Sequence, residues 1–334
     1  MEETSPSKIK MRALHQVAFM VNEAEKVAEN YWNMLGIGPW DIFTLEPPTV
    51  FNETYHAKPA NYGYKVGLCQ CGPCQLELIQ PTLGDSMYRD FIAQHGEGLQ
   101  HLQYLAETVD GAKKHIQLFA EQGFPLIMDG HCGDGYWAYI DTKSALKCVW
   151  EVVKMPTSIS APHIRIPPNP DQKSPAKIKV QGAAQVSLIV KDIEETMKNY
   201  WEILGIGPWD VINCASPIAH DLVYRGKLAS FSWKVALVML GEMQLELIEP
   251  TEGDSIYTDF LSKHGEGLQH LQFFSLDDDI SETNRMMSEA GFPVVMGGGF
   301  ADGKFAYYDT VDDLKCIIEA LQVPKGMPPI TRYP

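Results

Sequence analysis

Four side chains able to bind a hard or borderline cation recur in this chain in the same order: Gln16, Glu77, His101 and Glu151, then Gln185, Glu246, His270 and Glu319. The interval between copies is constant for the first three pairs and one residue shorter for the fourth. Two carboxylates, an imidazole and an amide oxygen leave positions open on a six-coordinate divalent ion. Such a set suits zinc, cobalt, nickel, manganese or magnesium better than a thiolate site would. An ion with open positions chelates a carbonyl or carboxylate and acidifies the neighbouring C–H. The chemistry these residues point to is metal-assisted proton transfer on a small carbonyl or acyl compound.

The elements that must carry these donors follow from alternation, because successive side chains on a strand point to opposite faces. In "HQVAFMV" (15–21), Val17 and Phe19 form an apolar face, which puts Gln16 on the other. Leu76 and Leu78 leave Glu77 opposite them, His101 alternates with Gln100 and Leu102, and Trp150 and Val152 oppose Glu151. Asn22 with Glu25 is expected to cap the first helix. Its apolar residues Val27, Tyr31 and Leu35 recur at helical spacing before Gly36 ends it. "YKVGLCQC" (64–71) and "CQLELIQP" (74–81) read as a hairpin across a Gly-Pro turn.

The duplication extends well beyond the donors. Residues 75–104 return at 244–273, and "NYWNMLGIGPW" at 30–40 returns as "NYWEILGIGPW" at 199–209. Each copy reads as strand, helix and three strands written twice, so the chain is an α+β protein of four βαβββ units. The expected domains are 12–155 and 181–323, with a proline-rich extended linker over 156–180 and tails at 1–11 and 324–334.

Setting one copy against the other also removes candidates. Cys69, Cys71 and Cys74 resemble a metal or redox motif, but the second copy has Val238, Leu240 and Met243 there. They are read as core, and Cys148 and Cys316 as buried fillers. His15 drops out because Ala184 replaces it. A net charge of −16, from 27 Lys and Arg against 43 Asp and Glu, disfavours nucleic acid and anionic membranes as partners. No apolar run approaches the roughly 20 residues that span a bilayer. The N-terminus lacks a signal-like hydrophobic stretch. The expectation is a cytoplasmic protein with reduced thiols, as a monomer or homodimer.

The doubled unit, with donors on its first and last strands, resembles the vicinal oxygen chelate superfamily. Each copy is similar over most of its length to methylmalonyl-CoA epimerase, through "LELIQP" (76–81), "GDS" (84–86) and "GLQH" (98–101), while the Gln/Glu/His/Glu set looks like that of eukaryotic glyoxalase I. The resemblance implies two curved half-barrel sheets, a divalent metal, and a role in proton transfer for the positions matching Glu151 and Glu319. It also implies a second, non-ligand glutamate. Alignment puts that position at Gly67 and Ala236, which carry no proton, with Lys65 and Lys234 two residues earlier on the same face. A lysine there serves as acid or base, holds an anion, or simply snorkels at a strand start.

Tyr55 and Tyr224 match across the copies where a substrate loop would lie, to bind substrate, donate a proton or pack. His95 and His264 occupy matching His-Gly-Glu-Gly turns and read as rim residues; Trp40 and Trp209 are expected to cover a sheet edge. The leading reading is a metal-dependent isomerase of the epimerase or racemase type. A glyoxalase-type or other metal-dependent lyase, a dioxygenase and a metal-free binding protein are the alternatives. Whether each site draws its donors from one copy or from both stays open at this level.

Overall fold

The computed structural model describes residues 4–169, 171–178, 180–275, 280–326 and 330–334. The first copy runs β1 (Gln16–Met20), α1 (Ala24–Leu35), β2 (Trp40–Leu45), β3 (Val50–Tyr55), β4 (Lys58–Pro59), β5 (Gly63–Cys71) and β6 (Cys74–Leu83). It continues through α2 (Met87–His95), β7 (Gly98–Leu105), α3 (Val109–Glu121), β8 (Leu126–Cys132), β9 (Gly135–Ile140), α4 (Lys143–Leu146) and β10 (Val149–Lys154). All these strands, with β11 (Ile164–Ile166), form one sheet in the order β11-β2-β5-β6-β1-β7-β10-β9-β8-β3-β4. The second copy builds an equivalent eleven-stranded sheet, ending at Thr331–Tyr333.

This order is what assembles the donors. Strand β1 pairs in parallel with β6, where Ala18 faces Glu77, and antiparallel with β7, where Ala18 faces His101. Strand β10 then pairs in parallel with β7, setting Glu151 beside Gln103. Gln16, Glu77, His101 and Glu151 therefore come from four adjacent strands, β6-β1-β7-β10, where the copy's two units meet. Every donor of one set lies in one copy, which answers the question the sequence left open.

The alternating pattern sorts the two faces of each sheet. Phe19, Leu78 and Trp150 point outward into a core shared with Leu188, Leu247 and Leu271 of the second copy. The inner faces enclose separate clusters, one around Tyr64, Tyr88 and Tyr139 and one around Trp233, Tyr257 and Tyr307. The copies also meet through side chains at matched places. Tyr31 donates to the Leu314 carbonyl at 2.9 Å and Tyr200 to that of Leu146 at 2.8 Å. Lys147 pairs with Glu266 at 3.2 Å and Lys315 with Glu97 at 2.9 Å. Gly72, at φ +65°, packs so close to Gly182 that a Cβ on Gly182 would lie 2.7 Å from its Cα, so neither position has room for a side chain.

Several expectations change here. Helix α1 starts from Glu23, with no side-chain cap, instead of from Asn22. The Gln80 side chain accepts from the Ala24 amide at 3.0 Å in its place. Trp40 and Trp209 are not edge covers. Both are fully buried in the shared core, each donating its indole N–H to a carbonyl three residues earlier. The segment read as linker supplies β11, which pairs with β2 and ties Arg165 to Asp41. The tail supplies the corresponding strand, tied by Arg332 to Asp210. Near the N-terminus Ile9 and Met11 are buried, with the Met11 amide donating to the Leu204 carbonyl. Cys69, Cys71 and Cys74 are free thiols in the shared core. Among the described residues no helix is long and apolar enough to cross a membrane.

Candidate metal centres

On the inner face of the first sheet Gln16, Glu77, His101 and Glu151 are all buried, at 1%, 8%, 0% and 3% exposure. His101 Nε2 lies 3.3 Å from Glu77 Oε2 and 3.4 Å from Glu151 Oε2. In the second copy the corresponding distances are 3.2 Å to Glu246 and 3.6 Å to Glu319. Each carboxylate–imidazole–carboxylate group holds its ligand atoms within 4.8 Å of one another. Gln16 anchors its amide nitrogen on Gln75 at 3.0 Å, as Gln185 does on Gln244 at 2.7 Å.

The polar atoms left over test whether a cation fits. Gln16 Oε1, Glu77 Oε2, His101 Nε2 and Glu151 Oε2 are buried without a hydrogen-bond partner, and Gln185 Oε1 is the same. Orphaned buried acceptors are rare and costly, and buried charge persists when it is paired or holds a metal. The histidine is the only ion-pair partner of either carboxylate in each group among the described residues. A divalent cation matches both the unfilled acceptors and the unbalanced negative charge. Gln16, Glu77, His101 and Glu151 would hold one ion, and Gln185, Glu246, His270 and Glu319 a second.

Protonation follows the same geometry. Burial pulls the His101 imidazole down, but the Glu151 and Glu77 carboxylates outweigh it and lift it to about 9. His270 is lifted to about 9 by Glu246 and Glu319 against the same burial. Burial pushes the Glu77 and Glu246 carboxyls up, against the pull of the histidine beside each.

Two supports lie outside the set identified from sequence. Gln100 Oε1 stands 2.6 Å from His101 Nδ1, and Gln269 Oε1 stands 2.9 Å from His270 Nδ1. By accepting from Nδ1–H they leave the Nε2 lone pair free for a ligand bond. Both glutamines stand in the repeated Gly-Leu-Gln-His stretch, so comparing the copies held the signal. Replacing Gln100 by leucine is expected to weaken metal binding at the first site by about 10–100-fold and to leave the second unchanged. Calorimetric titration checks this, and two sites of undiminished affinity would contradict it. The second support is a tyrosine pair. Tyr88 donates to Tyr139 at 2.8 Å, and the Tyr139 ring stands edge-on to His101 at 5.0 Å. Tyr257, Tyr307 and His270 repeat this at 2.8 and 5.0 Å.

The remaining candidates fall elsewhere. Lys65 and Lys234 are not in the centres. On β5 the residues facing inward are Tyr64, Val66 and Leu68, and Leu68 is the cross-strand partner of Glu77. Lys65 and Gly67 have the opposite parity and face the helix. There Lys65 pairs with Glu25 at 2.6 Å, while Lys234 lies 3.6 Å from Glu194 and 3.7 Å from Glu249. Neighbouring residues on a strand take opposite faces, so neither lysine reaches the donors from this position. Tyr55 and Tyr224 donate to Asp90 and Asp259. These pairs, with His95 and His264, line a cavity of about 770 Å³ between the copies, whose wall also includes Gln100 and Gln269. His15 is held by Gln103 at 2.7 Å, outside the donor set.

A sequence model of the glyoxalase/bleomycin resistance protein/dioxygenase superfamily matches residues 15–139 and again 184–308. Among solved structures, a mutant of 4-hydroxymandelate synthase from Streptomyces coelicolor is 13% identical, with a TM-score of 0.58 over 95% of this chain and 94% of that one. A xylose isomerase-like TIM barrel/4-hydroxyphenylpyruvate dioxygenase fusion protein is also 13% identical, with a TM-score of 0.52. It aligns over 98% of this chain and 51% of its own length. At such identity these structures share the fold. No curated protein matches the sequence.

Proposed function

The chain belongs to the glyoxalase/bleomycin resistance protein/dioxygenase superfamily, and from that membership and its donor clusters we propose a divalent-metal-dependent isomerase of the epimerase or racemase type. Its substrate is a small organic or acyl compound with an acidic C–H beside a carbonyl. The observation that carries this is the convergence of Gln16 Oε1, Glu77 Oε2, His101 Nε2 and Glu151 Oε2, buried and without hydrogen-bond partners. A bound divalent ion supplies Lewis acidity to a chelated carbonyl, which lowers the barrier to losing the neighbouring proton.

The protein's own residues supply the remainder. Glu77, His101 and Gln16 fix the site on rigid strands, and Gln100 sets the imidazole tautomer. Glu151 offers one carboxylate oxygen to the cluster, as Glu319 does in the second copy, and in this reading the other oxygen takes the substrate proton. A base must come within hydrogen-bond reach of the carbon acid, and this reading gives that role to Glu151 and Glu319. Elimination from the same carbanion would give a lyase, including the glyoxalase type, so the isomerase assignment rests on the fate of the proton.

Oxygen chemistry is the second reading, favoured by the dioxygenase named in one of the similar structures. The donor set argues against it, since non-haem iron oxygenases use two histidines and one carboxylate, and each group here has one histidine and two carboxylates. The test is incubation of metal-loaded protein in deuterated water with acyl thioesters, 2-oxo acids and aryl ketones. Metal-dependent entry of deuterium at the α-carbon is expected. Oxygen uptake without deuterium entry would replace this reading with the second.

A further inference from the structure

The two donor sets match residue for residue, but the strand beneath them does not. The first strand of the second copy, Val180–Ile189, carries Gln185 and, two residues later on the same face, Ser187. Ser187 is the ladder partner of Glu246 on one neighbouring strand and of His270 on the other. Its side chain therefore stands between two of the donors. In the first copy Ala18 holds that place, between Glu77 and His101. Ser187 is 0% exposed, and its Oγ has no hydrogen-bond partner among the described residues. The hydroxyl is near enough to the Glu246 carboxyl to oppose, after His270, the upward push of burial on it, yet it closes no hydrogen bond there. Ala18, equally buried, shows that a methyl group fills the place. A buried hydroxyl without a partner is costly, and this one lies among cation ligands.

Resting on the metal-centre reading above, we propose that Ser187 Oγ is a fifth donor of the second centre, so that the two centres of one chain prefer different ions. The first centre offers an imidazole nitrogen with the oxygens of Gln16, Glu77 and Glu151, and the second adds a hydroxyl oxygen to the equivalent set. A further neutral oxygen favours hard, six-coordinate ions such as manganese and magnesium. It gives little to zinc, which is satisfied by four ligands. The extra donor also occupies a position on the ion. At a six-coordinate ion the first centre keeps more of the coordination sphere open to substrate than the second does.

The test reads each centre alone in the full chain, with His101→Ala leaving the second and His270→Ala leaving the first. Thermal unfolding checks that both chains fold. Ser187→Ala, added to the His101→Ala chain, installs the first copy's own residue. It is expected to weaken manganese binding by at least about tenfold, the scale of losing one supporting group at a metal site, while zinc binding holds within about threefold. The reciprocal Ala18→Ser, in the His270→Ala chain, is expected to move the first centre's manganese-to-zinc preference toward the second's. Cobalt supplies a readout that a merely structural serine would not move. Its visible spectrum reports the number and kind of donors, so Ser187→Ala is expected to change it. An unchanged ion preference with an unchanged cobalt spectrum would overturn the fifth donor and leave both metal centres standing. Equal weakening of both ions with that spectrum unchanged would overturn it too, assigning Ser187 to the support of Glu246. A folded His101→Ala chain that binds no ion would overturn the second metal centre itself.

Discussion

Replacing Glu151 and Glu319 together by glutamine is expected to slow α-proton exchange by about 10²–10⁴-fold at saturating metal, the usual contribution of a positioned base. Glutamine keeps the shape of the side chain and an oxygen for the ion, but its amide accepts no substrate proton. Both variants are needed because either centre alone sustains exchange. Deuterium incorporation followed by NMR, with metal content measured in parallel, separates lost proton transfer from lost metal. Exchange at the unsubstituted rate in the double variant would show that neither carboxylate is the base.

The second large effect is on metal affinity as a function of pH. An imidazole bearing a proton on Nε2 cannot ligate, so binding must expel that proton. His101 and His270 are lifted to about 9 by their flanking carboxylates. Below that value each site therefore releases one proton per ion bound. Affinity is expected to rise about tenfold per pH unit, or about 100-fold from pH 6.5 to 8.5, and to level off above pH 9. As pH falls, the upward-shifted Glu77 and Glu246 carboxyls also protonate and steepen the loss. Titrations in buffers of different ionisation enthalpy would count the protons directly. A pH-independent affinity across this range would mean that the ion binds elsewhere.

The donor set was legible because strand alternation gives each residue a face, and the duplication marked which polar residues share the inner one. Lys65 was drawn toward the site by the family resemblance, whereas its parity on β5 turns it to the helix, where it pairs with Glu25. Its partner Glu25 lies 40 positions away in sequence and no local pattern links them. Strand β11 was hidden by composition. Proline and polar residues signal extended chain, and an extended chain at an unfilled sheet edge becomes a strand. Glu53, buried on β3 where the second copy has Leu222, was invisible for a more instructive reason. Comparing the copies retains what they share and discards what only one possesses, so it isolates a common metal-binding set and hides whatever makes the two sites unequal.

Metal stoichiometry tests the central claim most directly. Chelator-treated protein, titrated at pH 8 with zinc, cobalt, nickel or manganese, is expected to bind two ions per chain at saturable sites. His101→Ala and His270→Ala should each remove one of them, and the double variant both. A chain that binds no divalent ion, or whose two ions persist in the double histidine variant, would contradict the account.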